Sequence, residues 1–352
     1  MDGQHDKMSR NIMGKYFIVF LCILLTQFSC KQNSEKNVSG NAESSASSQD
    51  TVKYSLENLN SKLQLDPKNP NLLHSRALVY IQLKNFGEAL KDIQFAIKID
   101  SSQSKYYQVL ADIYFAGKKS LLAKTALEKA LQIDPQNKEA NLKLAELYLL
   151  VKKHKLSIQY LDQVLQQDKF NPKAYFMKGM NFKEAGDTAK AISSFQTATE
   201  QDPSYYDAFM QLGILFSLKN NALSVQYYTT ALSLHSNSEE AYYGRAMFLQ
   251  EHGQAQKAIE DYKHIQSINP MNKYAHYNQG YIYLVYLEKF DVAVGYFGNA
   301  IQIDPSYTAA YFNRGLAYEM MGNKSNAKTD YQKALQTDPN YTAAKERLKG
   351  LQ

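Results

Sequence analysis

The sequence predicts an all-α protein, an array of about eight helical hairpins stacked in line with a capping helix at each end. The first observation is an Asp-Pro punctuation at Pro67, Pro135, Pro203, Pro305 and Pro339, with Asn269-Pro270 in the same series. Ser101, Lys169 and Ser236 hold the proline slot between them, and the successive intervals are 34, 34, 34, 34, 33, 34, 35 and 34 residues. A fixed period of this size marks repeats that each pack only on their neighbours. With the proline slot numbered thirty-two of thirty-four, the second observation is small residues at three places. Slot eight holds Ala77, Ala111, Ala145, Gly179, Gly213, Ala246, Gly280 and Gly315; slots twenty and twenty-seven are mostly alanine. The third is large residues at two places. Slot eleven runs Tyr80, Tyr114, Tyr148, Phe182, Phe216, Leu249, Tyr283, Tyr318, and slot twenty-four runs Ile93, Leu127, Leu161, Phe195, Tyr228, Tyr262, Phe297, Tyr331. Spacings of three, four and seven put these residues on one face of each of two helices. Small residues let the helices approach, and the large ones fill the remaining volume.

Before the array, Lys7, Arg10 and Lys15 precede an apolar run from Tyr16 to Leu25, then Thr26-Gln27-Phe28-Ser29-Cys30. A basic start and a short apolar stretch describe an export signal over residues 1–29; the run falls short of the ~20 residues that span a bilayer. Ser29-Cys30 resembles the end of a bacterial lipoprotein signal, although Gln27 stands where that family favours leucine. The resemblance implies acylation of Cys30. Residues 30–50 are rich in Ser, Asn, Glu and Gly and are expected to be a disordered tether. Residues 51–69 should form a helix and turn, with Leu56, Leu59 and Leu63 on one face.

The repeats occupy residues 70–341. Gly186, Gly253 and Gly322 suit the turns inside hairpins. The Asp-Pro step is expected to end each second helix and place its proline in the first turn of the next helix. The fifth unit lacks one residue in Ser217–Leu223, and the seventh gains one in Val285–Asp291. Residues 342–352 begin like a further first helix with Lys345, Glu346, Arg347 and Lys349 on its polar face, as a terminal cap requires.

This small-aromatic-small-small-proline pattern resembles the tetratricopeptide repeat family over all eight units, more than three-quarters of the chain. The resemblance implies a right-handed superhelical solenoid whose first helices line a concave groove, with slots two, five, six, nine and twelve facing into it. Slot nine is Asp112 and Glu146 in the second and third units, then Met180, Ile214, Met247, Tyr281 and Leu316. Slot five over the later units is Phe176, Met210, Tyr243, Tyr277 and Phe312. Slot five is often aromatic in the family for packing alone, so slot nine carries the inference of an apolar, Met-rich stripe that takes a protein or peptide partner. Asn278 and Asn313 stand at slot six, where asparagine in the family can bond a bound peptide backbone. No unit has the Lys and Asn pair of the family's carboxylate clamps.

The composition, 44% hydrophobic and 21% charged, belongs to a folded chain. The net charge of +6 does not mark a nucleic-acid lane, because Asp112, Glu139, Glu146, Asp207 and Glu240 fall at groove slots. None of the seven histidines makes an HxH or HxxxH pair, and the only cysteines are Cys22 and Cys30, so no metal site or cofactor is expected. No Gly-rich phosphate loop or Gly-x-Ser-x-Gly occurs, and neither a catalytic residue nor a small-molecule substrate is expected. The expected function is a non-catalytic scaffold, exported and lipid-anchored in the bacterial envelope through Cys30, on the periplasmic or surface face of the outer membrane. The alternative is an accessory repeat subunit of a glycosyltransferase or cell-wall enzyme complex.

Overall fold

A computed structural model describes residues 44–351, with side chains from residue 52. The export signal, Cys30 and residues 30–43 of the tether lie outside the described residues. The chain divides into two compact units after Asn58. Of the first unit, residues 44–58 are described and are helical; the second carries the whole array. Among the described residues there are eighteen helices and no strand. None of these helices is long and apolar enough to cross a membrane.

Helix α1, Ser44–Leu65, begins earlier than expected and takes in residues 44–50 of the expected tether. That stretch contains neither glycine nor proline, and extending a helix needs no new nucleus. Eight hairpins follow. Their first helices are α2 (Pro70–Gln82), α4 (Ser104–Ala116), α6 (Lys138–Leu150), α8 (Pro172–Glu184), α10 (Tyr206–Leu218), α12 (Glu239–Glu251), α14 (Lys273–Val285) and α16 (Thr308–Met320). Their second helices are α3 (Phe86–Ile99), α5 (Ser120–Ile133), α7 (His154–Gln167), α9 (Thr188–Gln201), α11 (Leu223–Leu234), α13 (Ala255–Ile268), α15 (Phe290–Ile303) and α17 (Lys324–Thr337). Helix α18, Thr342–Gly350, closes the array. Each hairpin reverses the chain twice. All turns inside hairpins therefore lie along one edge of the array and all segments between hairpins along the other.

Side-chain caps start many of these helices. Asn69, Asn137, Asn171, Ser238 and Asn272 accept from backbone N–H groups at the starts of α2, α6, α8, α12 and α14, satisfying donors that have no intrahelical partner. The punctuating proline is not in the next helix's first turn, contrary to expectation. The aspartate is the C-cap of the second helix, and the proline sits in the four-residue segment that follows. Asp134 and Asp202 have φ of −133°, a backbone compatible with the proline that follows, and Asp100 and Asp168 adopt nearly the same φ, −140° and −133°, before Ser101 and Lys169. Aspartate then fastens that segment: Oδ1 of Asp100, Asp202 and Asp304 each accepts from the backbone N–H two residues on at 2.9 Å, an Asx-turn. Only Pro70 and Pro172 open helices. The extra residue of the seventh hairpin lies in its turn, 286–289. The residue missing from the fifth comes from the start of α11, which has 12 residues where other second helices have 14.

The core follows the slot pattern. Residues at slots eight, twenty and twenty-seven are buried in every hairpin. So is slot twenty-four, whereas slot eleven is half-buried in five of eight hairpins and fills less of the core than expected. Glycine at slot eight coincides with a ring at slot twenty-four. A Cβ on Gly179 would lie 2.5 Å from the Phe195 ring, and one on Gly315 would lie 2.7 Å from that of Tyr331. Where slot twenty-four is Ile93, Leu127 or Leu161, slot eight is alanine. Hairpin six combines Ala246 with Tyr262. Across the same hairpins, Arg76, Arg245 and Arg314 grip Asp92, Asp261 and Asp330 in two-pronged pairs at 2.7–2.9 Å. The aspartates are buried, so losing one arginine would strand a charge at ~3 kcal/mol.

Each turn inside a hairpin needs one residue with positive φ. Glycine supplies it at Gly186, Gly253 and Gly322; Lys84, Lys118, Lys152, Asn220 and Glu288 supply it elsewhere, with φ of 50–56°. A side chain there costs roughly 1 kcal/mol that glycine does not.

Two outcomes follow. Gly179→Ala should destabilise the array by about 1–3 kcal/mol through overpacking, and Phe195→Leu added to it should recover part of that loss, as read by urea unfolding. Lys152→Gly should raise the unfolding midpoint, the reverse of the usual effect of glycine.

Candidate functional site

The first helices form a row. Helix α2 touches α4, α6 touches α8, α10 touches α12 and α14 touches α16. Slot-nine residues Met180, Ile214, Met247, Tyr281 and Leu316 are each half-exposed, one side resting on the core. This row of apolar surface runs over five adjacent hairpins.

Slot five lies deeper. Phe176, Met210 and Phe312 are buried. Phe176 packs between Phe195 and Tyr205, with ring centroids 5.5 and 5.0 Å away, and Phe312 does the same between Tyr331 and Tyr341 at 5.7 and 5.2 Å. These residues wedge a first helix against the start of the next hairpin. Tyr243 and Tyr277 are longer, and their rings remain half-exposed. Their hydroxyls accept from slot six of the following hairpin: Asn278 Nδ2 donates to Tyr243 Oη at 3.3 Å and to Tyr262 Oη at 3.1 Å, and Asn313 Nδ2 donates to Tyr277 Oη at 2.7 Å. Both asparagines are buried. Their amide nitrogens thus join neighbouring hairpins, while no bond within the described residues uses their Oδ1 atoms. Of the twelve residues read from the sequence, the apolar surface comes from slot nine with Tyr243 and Tyr277. Phe176, Met210 and Phe312 pack inside, and the asparagines link the hairpins.

Charged residues also lie along the row, in hairpins two to six. Lys143 Nζ bonds Asp112 Oδ1 at 2.5 Å, yet burial still holds Asp112 above the usual carboxylate range. Burial also raises Glu146, with Lys173 partly opposing it. Asp207 and Glu240, at slot two of hairpins five and six, remain exposed; partial desolvation by the surrounding helices raises both, and their proximity adds to the shift of Glu240. Glu146, Asp207 and Glu240 form no ion pair among the described residues. Lys183 is lowered by burial and donates to Gln211 Oε1 at 2.7 Å. Among the described residues no group of three or more His, Cys, Asp or Glu is placed to hold a metal ion.

Two features escaped the sequence reading. The arginine–aspartate pairs join slots seven and twenty-three, and the signal was an Arg sixteen residues before an Asp in three units. Tyr205, Tyr307 and Tyr341 all occupy slot thirty-four and pack against slot five of the preceding first helix.

Four family models described as tetratricopeptide repeat match the chain, at residues 70–103, 104–137 and 239–272, at 121–177, at 176–239 and at 308–341. Together they cover 70–272 and 308–341, well over half of the chain. Four of these intervals share the boundaries that the proline slots set. The human Tetratricopeptide repeat protein 6 is 28% identical over 145 residues, 41% of this chain and 28% of that protein's length. The C-terminal part of a TPR repeat-containing protein from Cytophaga hutchinsonii superposes with a TM-score of 0.53 at 18% identity, covering 65% of this chain and 94% of that one. Pseudomonas aeruginosa pilF gives 0.51 at 16% identity, covering 57% and 92%. These two likenesses speak for the fold. With its register, its hairpins and its family matches in agreement, the chain belongs to the tetratricopeptide repeat family.

Proposed function

We propose that this protein is a non-catalytic scaffold that binds an extended protein segment along the first-helix row, exported and held to the bacterial envelope through a lipid on Cys30. Repeat arrays of this family are generally non-catalytic scaffolds. The observation that carries the binding reading is the half-exposed row Met180, Ile214, Met247, Tyr281 and Leu316, continuous over five hairpins. Oδ1 of Asn278 and of Asn313 stand beside it as acceptors for a peptide N–H. Glu146 in hairpin three and Asp207 and Glu240 in hairpins five and six lie along the same row, with no ion pair among the described residues. A ligand that alternates apolar anchors with basic residues meets both, since a cation restores to those carboxylates what desolvation removes. The anchor reading rests on the basic start, the apolar run and Ser29-Cys30.

A triple Met180, Met247, Tyr281→Asp variant should lose any partner recovered by the unaltered, Cys30-anchored protein; equal recovery by both sinks the groove reading. Intact mass of the native protein should show an acylated Cys30 as the first residue, and a chain starting at an unmodified Met1 sinks the anchor.

The carboxylates set a pH dependence. Their folded pKa values lie above the unfolded ones, so the folded state holds more protons between the two. Stability should therefore rise as pH falls from neutral through that window, and Asp207→Asn should stabilise the chain at pH 7 more than at pH 4. Affinity for a basic ligand should move the other way, weakening as those carboxylates take up protons.

A further inference from the structure

The two edges of the array carry opposite charge. The eight turns inside hairpins hold seven lysines against Asp187 and Glu288, whereas the nine segments that flank or join hairpins hold seven aspartates against Lys68 and Lys169. The aspartates have a local reason, since several fasten Asx-turns. The lysines have none. Lys84, Lys118 and Lys152 occupy the positive-φ position of their turns, where the backbone favours glycine or asparagine. Neighbouring hairpins two and three concentrate this feature, with Lys118, Lys119, Lys152 and Lys153 in their turns and no acidic residue among those six positions.

Apolar side chains stand between these lysines. Leu121 is 74% exposed, Leu150 58% and Val151 53%, with Leu122 close behind. Leu121, Leu122 and Leu150 sit at helix ends that meet the turns and Val151 within a turn, outside the buried clusters. Lysine interleaved with exposed aliphatic residues matches an anionic lipid surface: the ammonium groups meet headgroup charge and the side chains enter the acyl boundary. A nucleic acid would satisfy the lysines and leave the leucines in water. The acidic edge of a second copy would satisfy the charge, but its most exposed apolar residues, Leu65, Phe170 and Met271, stand three segments apart and match no such cluster.

We propose that the turn edge of hairpins two and three is a membrane-contact surface that lays the array against anionic lipid. This inference is independent of the groove reading. It also differs from an N-terminal anchor, which would hold the chain near a membrane without choosing the edge that faces it.

The chain contains no tryptophan, so one introduced indole reports one place. The test uses the full-length chain carrying Leu150→Trp on the basic edge or Phe170→Trp on the acidic one. Each is mixed with vesicles of phosphatidylcholine, with or without phosphatidylglycerol, containing brominated lipid. The expected result is a blue shift and quenching of the Leu150→Trp emission with anionic vesicles alone, and an unchanged Phe170→Trp emission. Each lysine of the patch changed to glutamine should weaken that response by about fivefold, and high salt should suppress it. Lys152→Gly should weaken it while raising thermal stability, a split that a structural lysine would not give. Sedimentation of the chain with vesicles without quenching of the Leu150→Trp emission leaves the anchor standing and overturns the edge. Equal quenching of both reporters overturns it as well. So does a lipid-free shift that grows with protein concentration, which assigns the edge to a second copy. A shift produced by duplex DNA or RNA in place of vesicles assigns it to nucleic acid.

Discussion

Everything in this array depends on how closely two helices of one hairpin approach, and that distance is set where slot eight meets slot twenty-four. In hairpins four, five, seven and eight a ring lies where a Cβ would be, so the ring is clamped between backbones. In the first three hairpins a branched aliphatic side chain meets alanine at the same place. The summed volume is similar, as close packing demands, but the rings bring hydroxyls and flat faces that the aliphatic residues lack.

That difference passes outward to the binding face. Tyr262 sits in the core of hairpin six, yet its hydroxyl takes a hydrogen from Asn278 and offers its own to Gln250 Oε1 at 3.2 Å. Tyr331 similarly donates to Glu319 Oε2 at 2.5 Å. Ring–ring contacts then carry slot five from one hairpin to the next through Tyr205, Tyr307 and Tyr341. The later hairpins are thus joined by aromatic and amide contacts beneath an apolar face. The earlier ones carry carboxylates and lysines at the equivalent places, with Asp112 and Lys143 already paired across two hairpins. One backbone repeat thus presents different chemistry at slot nine in its earlier and later hairpins.

The period and the sizes at slots eight, twenty and twenty-seven made the hairpins legible in the sequence, because burial there is total and leaves little choice of residue. The proline misled in detail. The helix ends in the same extended C-cap before Ser101 and Lys169 as before proline, and nothing in the Asp-Pro pair says how many residues pass before the next helix starts. Slot five illustrates a second limit. Periodicity places Phe176 and Tyr243 on the same face, yet the first is buried and the second half-exposed, since ring length and the neighbour at slot thirty-four decide. The family resemblance implies that Asn278 and Asn313 meet a peptide backbone; that their nitrogens are committed to Tyr262, Tyr243 and Tyr277 depends on three-dimensional neighbours in the preceding helices. The charged edge went unnoticed because its lysines are spaced by the repeat and never form a run.

Tyr228 is the ring at slot twenty-four of hairpin five, but a Cβ on Gly244 in hairpin six would lie 2.6 Å from it, as one on its own Gly213 would lie 2.8 Å away. One side chain therefore demands an absence in two successive units. Solenoids grow and shrink by duplicating or deleting whole units, and units with self-contained cores can be copied freely. Hairpins five and six cannot be separated that way. A copy of hairpin five placed before any other unit would drive Tyr228 into the slot-six side chain there, from Ser75 in hairpin one and Gln211 in hairpin five to Asn313 in hairpin eight, because Gly244 is the only glycine at that slot. The pair is inherited or lost together, and the array's length is free to vary only outside it.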